Sequence, residues 1–138
     1  GMVDDEGGQV DAANPQASDS VRAPGVYNGS DSGHYDVYVE ARRFAFYPGT
    51  NEPIRVPANS TVTFHVTSAD VLHGFEVVGT NINTMAIPGQ RAIVTAEFDD
   101  PQEYGIVCNE YCGSAHHTMA GTLEVVPRSE FNATSEVQ

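Results

Sequence analysis

The stretch Thr61-Val62-Thr63-Phe64-His65-Val66-Thr67 alternates polar and apolar residues without a break. Successive side chains of a strand point to opposite faces. The run therefore buries Val62, Phe64 and Val66 on one side and turns its threonines and His65 to the other. Tyr35, Val37 and Val39 alternate in the same way with Asp36, Tyr38 and Glu40. Working outward, further short strands are expected at 44–47, 54–56, 74–78, 92–98, 103–107 and 121–126. Pro48-Gly49, Pro57, Pro88-Gly89 and Asp99-Asp100-Pro101 break the chain between them. This spacing, with no amphipathic helix and no internal repeat, predicts an all-β fold built as a Greek-key β-sandwich or small barrel.

The 138 residues suit one domain with an adequate core. Residues 1–33 are rich in Gly, Ala, Ser, Asp, Asn and Pro and read as a flexible acidic arm. The folded domain is expected over 34–128 and a polar, fraying tail over 129–138. Mean hydropathy of −0.30 and 40% hydrophobic residues fit a globular chain diluted by polar ends. The net charge is −13, and all six basic residues are arginine, with no lysine anywhere. An acidic, lysine-free surface is what extreme salt demands, and it reads as a halophile's. With no basic stripe to meet phosphates, nucleic acid is excluded as a partner. No run approaches the roughly 20 apolar residues that span a bilayer. Gly1-Met2 reads as a cleavage scar, so a membrane anchor is expected to have preceded the chain. Three Asn-x-Ser/Thr sequons, at Asn28, Asn59 and Asn132, are compatible with export.

The chemistry concentrates in Cys108-Asn-Glu-Tyr-Cys112-Gly-Ser-Ala-His116-His117-Thr-Met119. It lies on the loop before the last expected strand, and it holds the only two cysteines. His73 lies upstream in Asp70-Val-Leu-His-Gly-Phe75, at a turn between two strands. In a Greek-key sandwich, loops distant in sequence converge at one end. Thiolate, imidazole and thioether form a soft set that favours copper over magnesium, calcium or manganese.

Four rival readings compete for these residues. A Cys108–Cys112 disulfide leaves His116 and Met119 unexplained. Zinc takes thioether poorly, and the usual finger spacings are absent. A mononuclear blue-copper site needs only one cysteine. A Cys–His nucleophile needs neither the second cysteine nor the methionine. Two thiolates four residues apart can bridge two metal ions, so a binuclear copper site is expected. Spacing does not separate His116 from His117. His34 and His65 read as surface or strand histidines, and Met85 as packing.

Cys-x3-Cys-x3-His-x2-Met preceded by Asp-Val-x-His resembles the CuA domain of subunit II of haem–copper oxygen reductases, the cytochrome c oxidases. The resemblance spans roughly 35–126. The stretches from Asp70 to Asn83 and from Cys108 to Cys112 look most similar to the ba-type oxidases. It implies a cupredoxin-like fold with Cys108 and Cys112 bridging two coppers and His73 and His116 each binding one. Met119 would be a weak ligand to one copper and the Glu110 carbonyl to the other. The Glu110 side chain would face the catalytic subunit, where some relatives hold magnesium. The family's tryptophan-rich electron entry is absent, and Phe44-Ala-Phe-Tyr47 occupies roughly that region.

The resemblance implies single electrons arriving from a soluble donor, a cytochrome c or blue-copper protein. They leave through His116 to haem in catalytic subunit I, where oxygen is reduced. It places the domain on the extracytoplasmic face of the membrane, held by an N-terminal helix. Three other functions stay open: the CuA domain of nitrous oxide reductase, a copper-delivery or storage protein, and a disulfide-stapled interaction domain.

Overall fold

Eleven strands and no α-helix make up the described part of the computed structural model, which covers the backbone of 4–9 and all of 22–108 and 119–133. They are β1 (Asp4–Gln9), β2 (Gly25–Asn28), β3 (His34–Arg42), β4 (Ala45–Tyr47), β5 (Ile54–Pro57), β6 (Ser60–Ser68), β7 (His73–Val77), β8 (Asn83–Ala86), β9 (Gln90–Phe98), β10 (Gln102–Val107) and β11 (Ala120–Val126). One sheet runs β1-β9-β6-β3-β2 with β4 added to β3, and the other runs β5-β11-β10-β7-β8. The β3–β6 and β5–β11 pairs are parallel, and the remaining pairs are antiparallel.

The alternation of 61–67 does what its period dictates. Val62, Phe64 and Val66 are fully buried, while Thr63 and His65 lie on the outer face beside Asp36 and Thr95. Phe46, Phe64, Phe75 and Phe98 make a connected aromatic core, with edge-to-face or tilted ring pairs at centroid distances of 5.5–6.4 Å. Ile54, Val56, Ile106 and Leu123 complete it from the second sheet.

Three strands fall outside the sequence expectation. β8, Asn-Thr-Met-Ala, is short and only half apolar, and its pairing with β7 puts His73 opposite Ala86. β1 and β2 lie inside the segment read as an arm. Val26 and Tyr27 of β2 are buried, so the folded domain begins by residue 25. β1, Asp-Asp-Glu-Gly-Gly-Gln, has no apolar residue for a hydrophobic pattern to detect. It is held by its backbone ladder along the free edge of β9. At the other end Phe131 packs its ring 5.1 Å from Tyr35, so core contacts continue past residue 128.

Candidate metal centre

One end of the sandwich collects the turn before β7, the end of β10 and the start of β11. The β6–β7 turn is built by short polar side chains. Ser68 Oγ donates to the Val71 carbonyl and accepts from the Asp70 amide at 3.2 Å. Asp70 then works as a three-way acceptor: Oδ2 takes the Arg43 amide at 2.8 Å, and Oδ1 takes the Val71 amide at 2.6 Å and His73 Nε2 at 2.7 Å. Partial burial pushes the Asp70 carboxyl up. The hydrogen bonds from Arg43, His73 and Val71 outweigh it and hold the group below the usual carboxylate range.

This fixes the chemistry of His73. An ionised carboxylate only accepts, so Nε2 carries the ring proton and a neutral ring leaves its lone pair on Nδ1. His73 is completely buried, and Nδ1 has no hydrogen-bond partner among the described residues. A buried imidazole nitrogen with an unused lone pair is costly unless something binds it. The two cysteine-loop donors within the described residues lie beside it. Cys108 Sγ accepts the Gly74 amide at 3.3 Å, one residue from His73. The Cys108 amide donates to the Met119 carbonyl at 3.2 Å, and Met119 is 1% exposed.

The β4 turn braces the second side. Thr50 Oγ1 donates to the Ala120 carbonyl at 2.7 Å and accepts the Phe46 amide at 2.9 Å. The Thr122 amide donates to the Gly49 carbonyl at 3.0 Å. Gly121 sits so close to Gly49 that an added Cβ would fall 2.7 Å from the Gly49 carbonyl carbon. Phe46, buried below this turn, meets Phe75 edge-to-face, so the same brace reaches β7 two residues beyond His73.

The structure thus brings together His73, Cys108 and Met119. Glu110, Cys112, His116 and the competing His117 lie outside the described residues. Among the described residues no three His, Cys, Asp or Glu side chains form a metal-holding group. The donors fit copper: an oriented imidazole lone pair, a cysteine sulfur within reach of an amide donor, and a buried thioether. His34 and His65 sit away from this end, bonded to Thr63 and Asp36, and Met85 is half-buried on β8. Sequence reasoning assigned no task to Asp70, although its place three residues before His73 was visible. Thr50 and Gly121 carried no sequence signal, because their partners are 70 and 72 residues away.

Residues 38–126 match the family model for the periplasmic domain of cytochrome C oxidase subunit II. The chain belongs to the cytochrome c oxidase subunit II family. Cytochrome c oxidase subunit 2 of Thermus thermophilus is 47% identical over 91 residues, which cover 66% of this chain and 65% of that protein. The corresponding protein of Cyberlindnera saturnus is 35% identical over 82 residues, 59% of this chain and 33% of its own length. The chain therefore spans between a third and two thirds of these subunit II relatives. A chain in a cryo-EM structure of a haem–copper terminal oxidase dimer superposes with a TM-score of 0.66 at 36% identity, covering 75% of this chain and 71% of that one. The periplasmic domain of subunit II from Bradyrhizobium japonicum superposes at 0.62 with 21% identity, over 69% and 86% of the two chains. That likeness bears out the cupredoxin-like fold. Among the described residues no helix is long and apolar enough to cross a membrane.

Proposed function

We propose that this is the electron-transfer domain of a terminal oxidase, holding a binuclear copper centre and passing single electrons from a soluble donor to haem in the catalytic subunit. The observation that carries the reading is His73, buried, with Nε2 committed to Asp70 and Nδ1 left to bind. Cys108 and Cys112 would bridge the metals, His73 and His116 would each hold one, and Met119 and the Glu110 carbonyl would be weak ligands. Such a pair, when bound, shares one unpaired electron over two metals and two sulfurs, so little rearrangement accompanies each transfer.

The chain's own residues supply the rest. Asp70 fixes the tautomer and orientation of His73. The Gly74 amide at Cys108 Sγ stabilises negative charge on sulfur. Phe46, Phe75 and Ile106 close the apolar floor against water. Leu72, 43% exposed immediately before His73, gives the site end an apolar contact for a passing partner. Catalytic subunit I would be the acceptor, and a cytochrome c or blue-copper protein the donor. The domain would lie on the extracytoplasmic face, held by a membrane anchor N-terminal to it. The family match favours an oxidase over nitrous oxide reductase or a copper-delivery protein.

Copper titration of the purified chain tests this. Two coppers per chain, a purple colour and an electron spin resonance signal shared by both metals are expected. One copper with a blue single-metal spectrum refutes it. His116→Ala should abolish the shared signal and His117→Ala should keep it. Reversible one-electron voltammetry separates an electron carrier from a copper-delivery protein.

A further inference from the structure

The three sequons take no part in the metal centre, and the fold gives them a common location. Asn28 ends β2 opposite Tyr35, at the start of β3. Asn59 occupies the tight turn between β5 and β6, with its amide on the Asp99 carbonyl, and the Thr61 amide bonds to the Gly33 carbonyl. Asn132 follows the turn in which Arg128 donates to the carbonyls of Ala58 and Asn59, and Phe131 beside it packs on Tyr35. All three lie at the end opposite His73, Cys108 and Met119. β3 separates the two ends: from His34 to Arg42 the strand makes eight residue steps, roughly 26 Å.

Each of these asparagines is exposed. Neither the Asn28 nor the Asn59 carboxamide makes a hydrogen bond among the described residues. Local backbone needs do not account for the motifs. Asn59 has a φ of 59°, which favours asparagine but asks nothing of the residue two positions on. Asn28 ends a strand, a position whose backbone does not call for asparagine. Three of the eight asparagines stand two residues before one of the chain's 19 Ser or Thr residues. Chance placement gives about one such motif. Asn51, on the loop leading from the β4 turn, is followed by Glu and Pro and is no acceptor.

We infer that Asn28 and Asn59 are N-glycosylation acceptors, placing sugar on the end of the sandwich remote from the metal donors. Asn132 is the third acceptor by position, with its Thr134 outside the described residues. The co-reactant is a polyprenyl-phosphate-linked oligosaccharide. The carboxamide nitrogen forms a bond to the anomeric carbon, the bond from that carbon to the phosphate oxygen breaks, and the phosphate leaves with the electron pair. The nitrogen gives up one proton. The glycan would extend from turns the core does not use, while the donor end stays bare for protein contacts. This rests on the extracytoplasmic placement and not on the copper assignment.

The test is peptide mapping by mass spectrometry of the full-length natural protein isolated from its own membranes. The Asn28 and Asn59 peptides are expected to carry whole-sugar mass increments. Ser30→Ala and Thr61→Ala should each remove one of them, while Thr61→Ser, which preserves the hydroxyl, should retain it. Unmodified peptides at both positions overturn the proposal. Protease digestion of sealed, right-side-out cells reads placement separately. An unmodified chain cut from outside defeats glycosylation alone, and an unmodified, protected chain defeats the placement as well. Increments that survive Ser30→Ala and Thr61→Ala also refute it, because the sugar would then be attached elsewhere.

Discussion

Two glycines on neighbouring strands should respond to the same substitution with opposite signs. Gly121 of β11 and Gly105 of β10 flank one register step, Gly105 facing Thr122 and Gly121 facing Ile106. A Cβ on Gly121 would lie 2.7 Å from the carbonyl carbon of Gly49 and 2.8 Å from its oxygen. Ordinary contact begins near 3.4 Å, so the Gly49 backbone must retreat by about 0.7 Å. It has little room, because Thr122 and Thr50 tie the turn to β11 and the Thr50 amide closes it onto the Phe46 carbonyl. Overpacking of this kind costs about 1–3 kcal/mol, or roughly 5–15 °C in Tm for a domain of this size. A Cβ on Gly105 meets nothing within 4 Å, and its φ lies outside the left-handed range. Gly105→Ala should therefore stabilise by about 0.4–1 kcal/mol, by restricting the unfolded chain. Thermal and denaturant unfolding of the metal-free protein measures both. Two shifts of the same sign, or a neutral Gly121→Ala, would refute the claim that Gly49 and Gly121 form a rigid backbone contact.

Asp70→Asn retains the size of the side chain and removes the charge that fixes His73. Copper affinity measured against a competing chelator should fall about 10–100-fold, and an unchanged affinity would remove Asp70 from the site. Asp36 tests the outer face of the first sheet. Burial pushes its carboxyl up, but the His65 hydrogen bond and charge, with His34 and Arg22 nearby, hold it below the ordinary value. A depressed carboxyl contributes stability above its unfolded pKa, about 4, and that contribution is lost as pH falls through the folded value. Wild type should thus exceed Asp36→Asn in stability at pH 7, and the two unfolding curves should converge in acid below pH about 4. Phe75→Ala, at the junction of Phe46 and Phe64, should cost about 3–5 kcal/mol in urea unfolding. Leu72→Ser, on the exposed rim, should stay within about 0.5 kcal/mol.

Eight of the eleven strands were readable because their apolar residues recur at every second position or in short runs bounded by turn residues. Where one face meets the core, as in β6, period-two alternation is imposed on the sequence and can be read back. β1 escaped because its ladder needs only backbone, which every sequence has. β2 escaped because four residues give too few alternations to count. The candidate site divides in the same way. His73, Cys108 and Met119 announced themselves by donor chemistry and spacing. Asp70 was visible beside His73, but its hydrogen bond to Nε2 depends on the turn that Ser68 and the Arg43 amide fold around it. Thr50 and Gly121 are ordinary residues whose importance comes from partners about 70 positions away.

The sequence by itself determined the period-two core, the soft donor set and the order of its parts, because these depend on side-chain chemistry and local spacing. Only the tertiary structure decided which nitrogen of His73 is left to bind and which glycine is indispensable. It also decided that three sequons scattered over a hundred residues share one end of the molecule. Those are properties of contacts between distant segments, fixed when the two sheets pack and their loops are brought together.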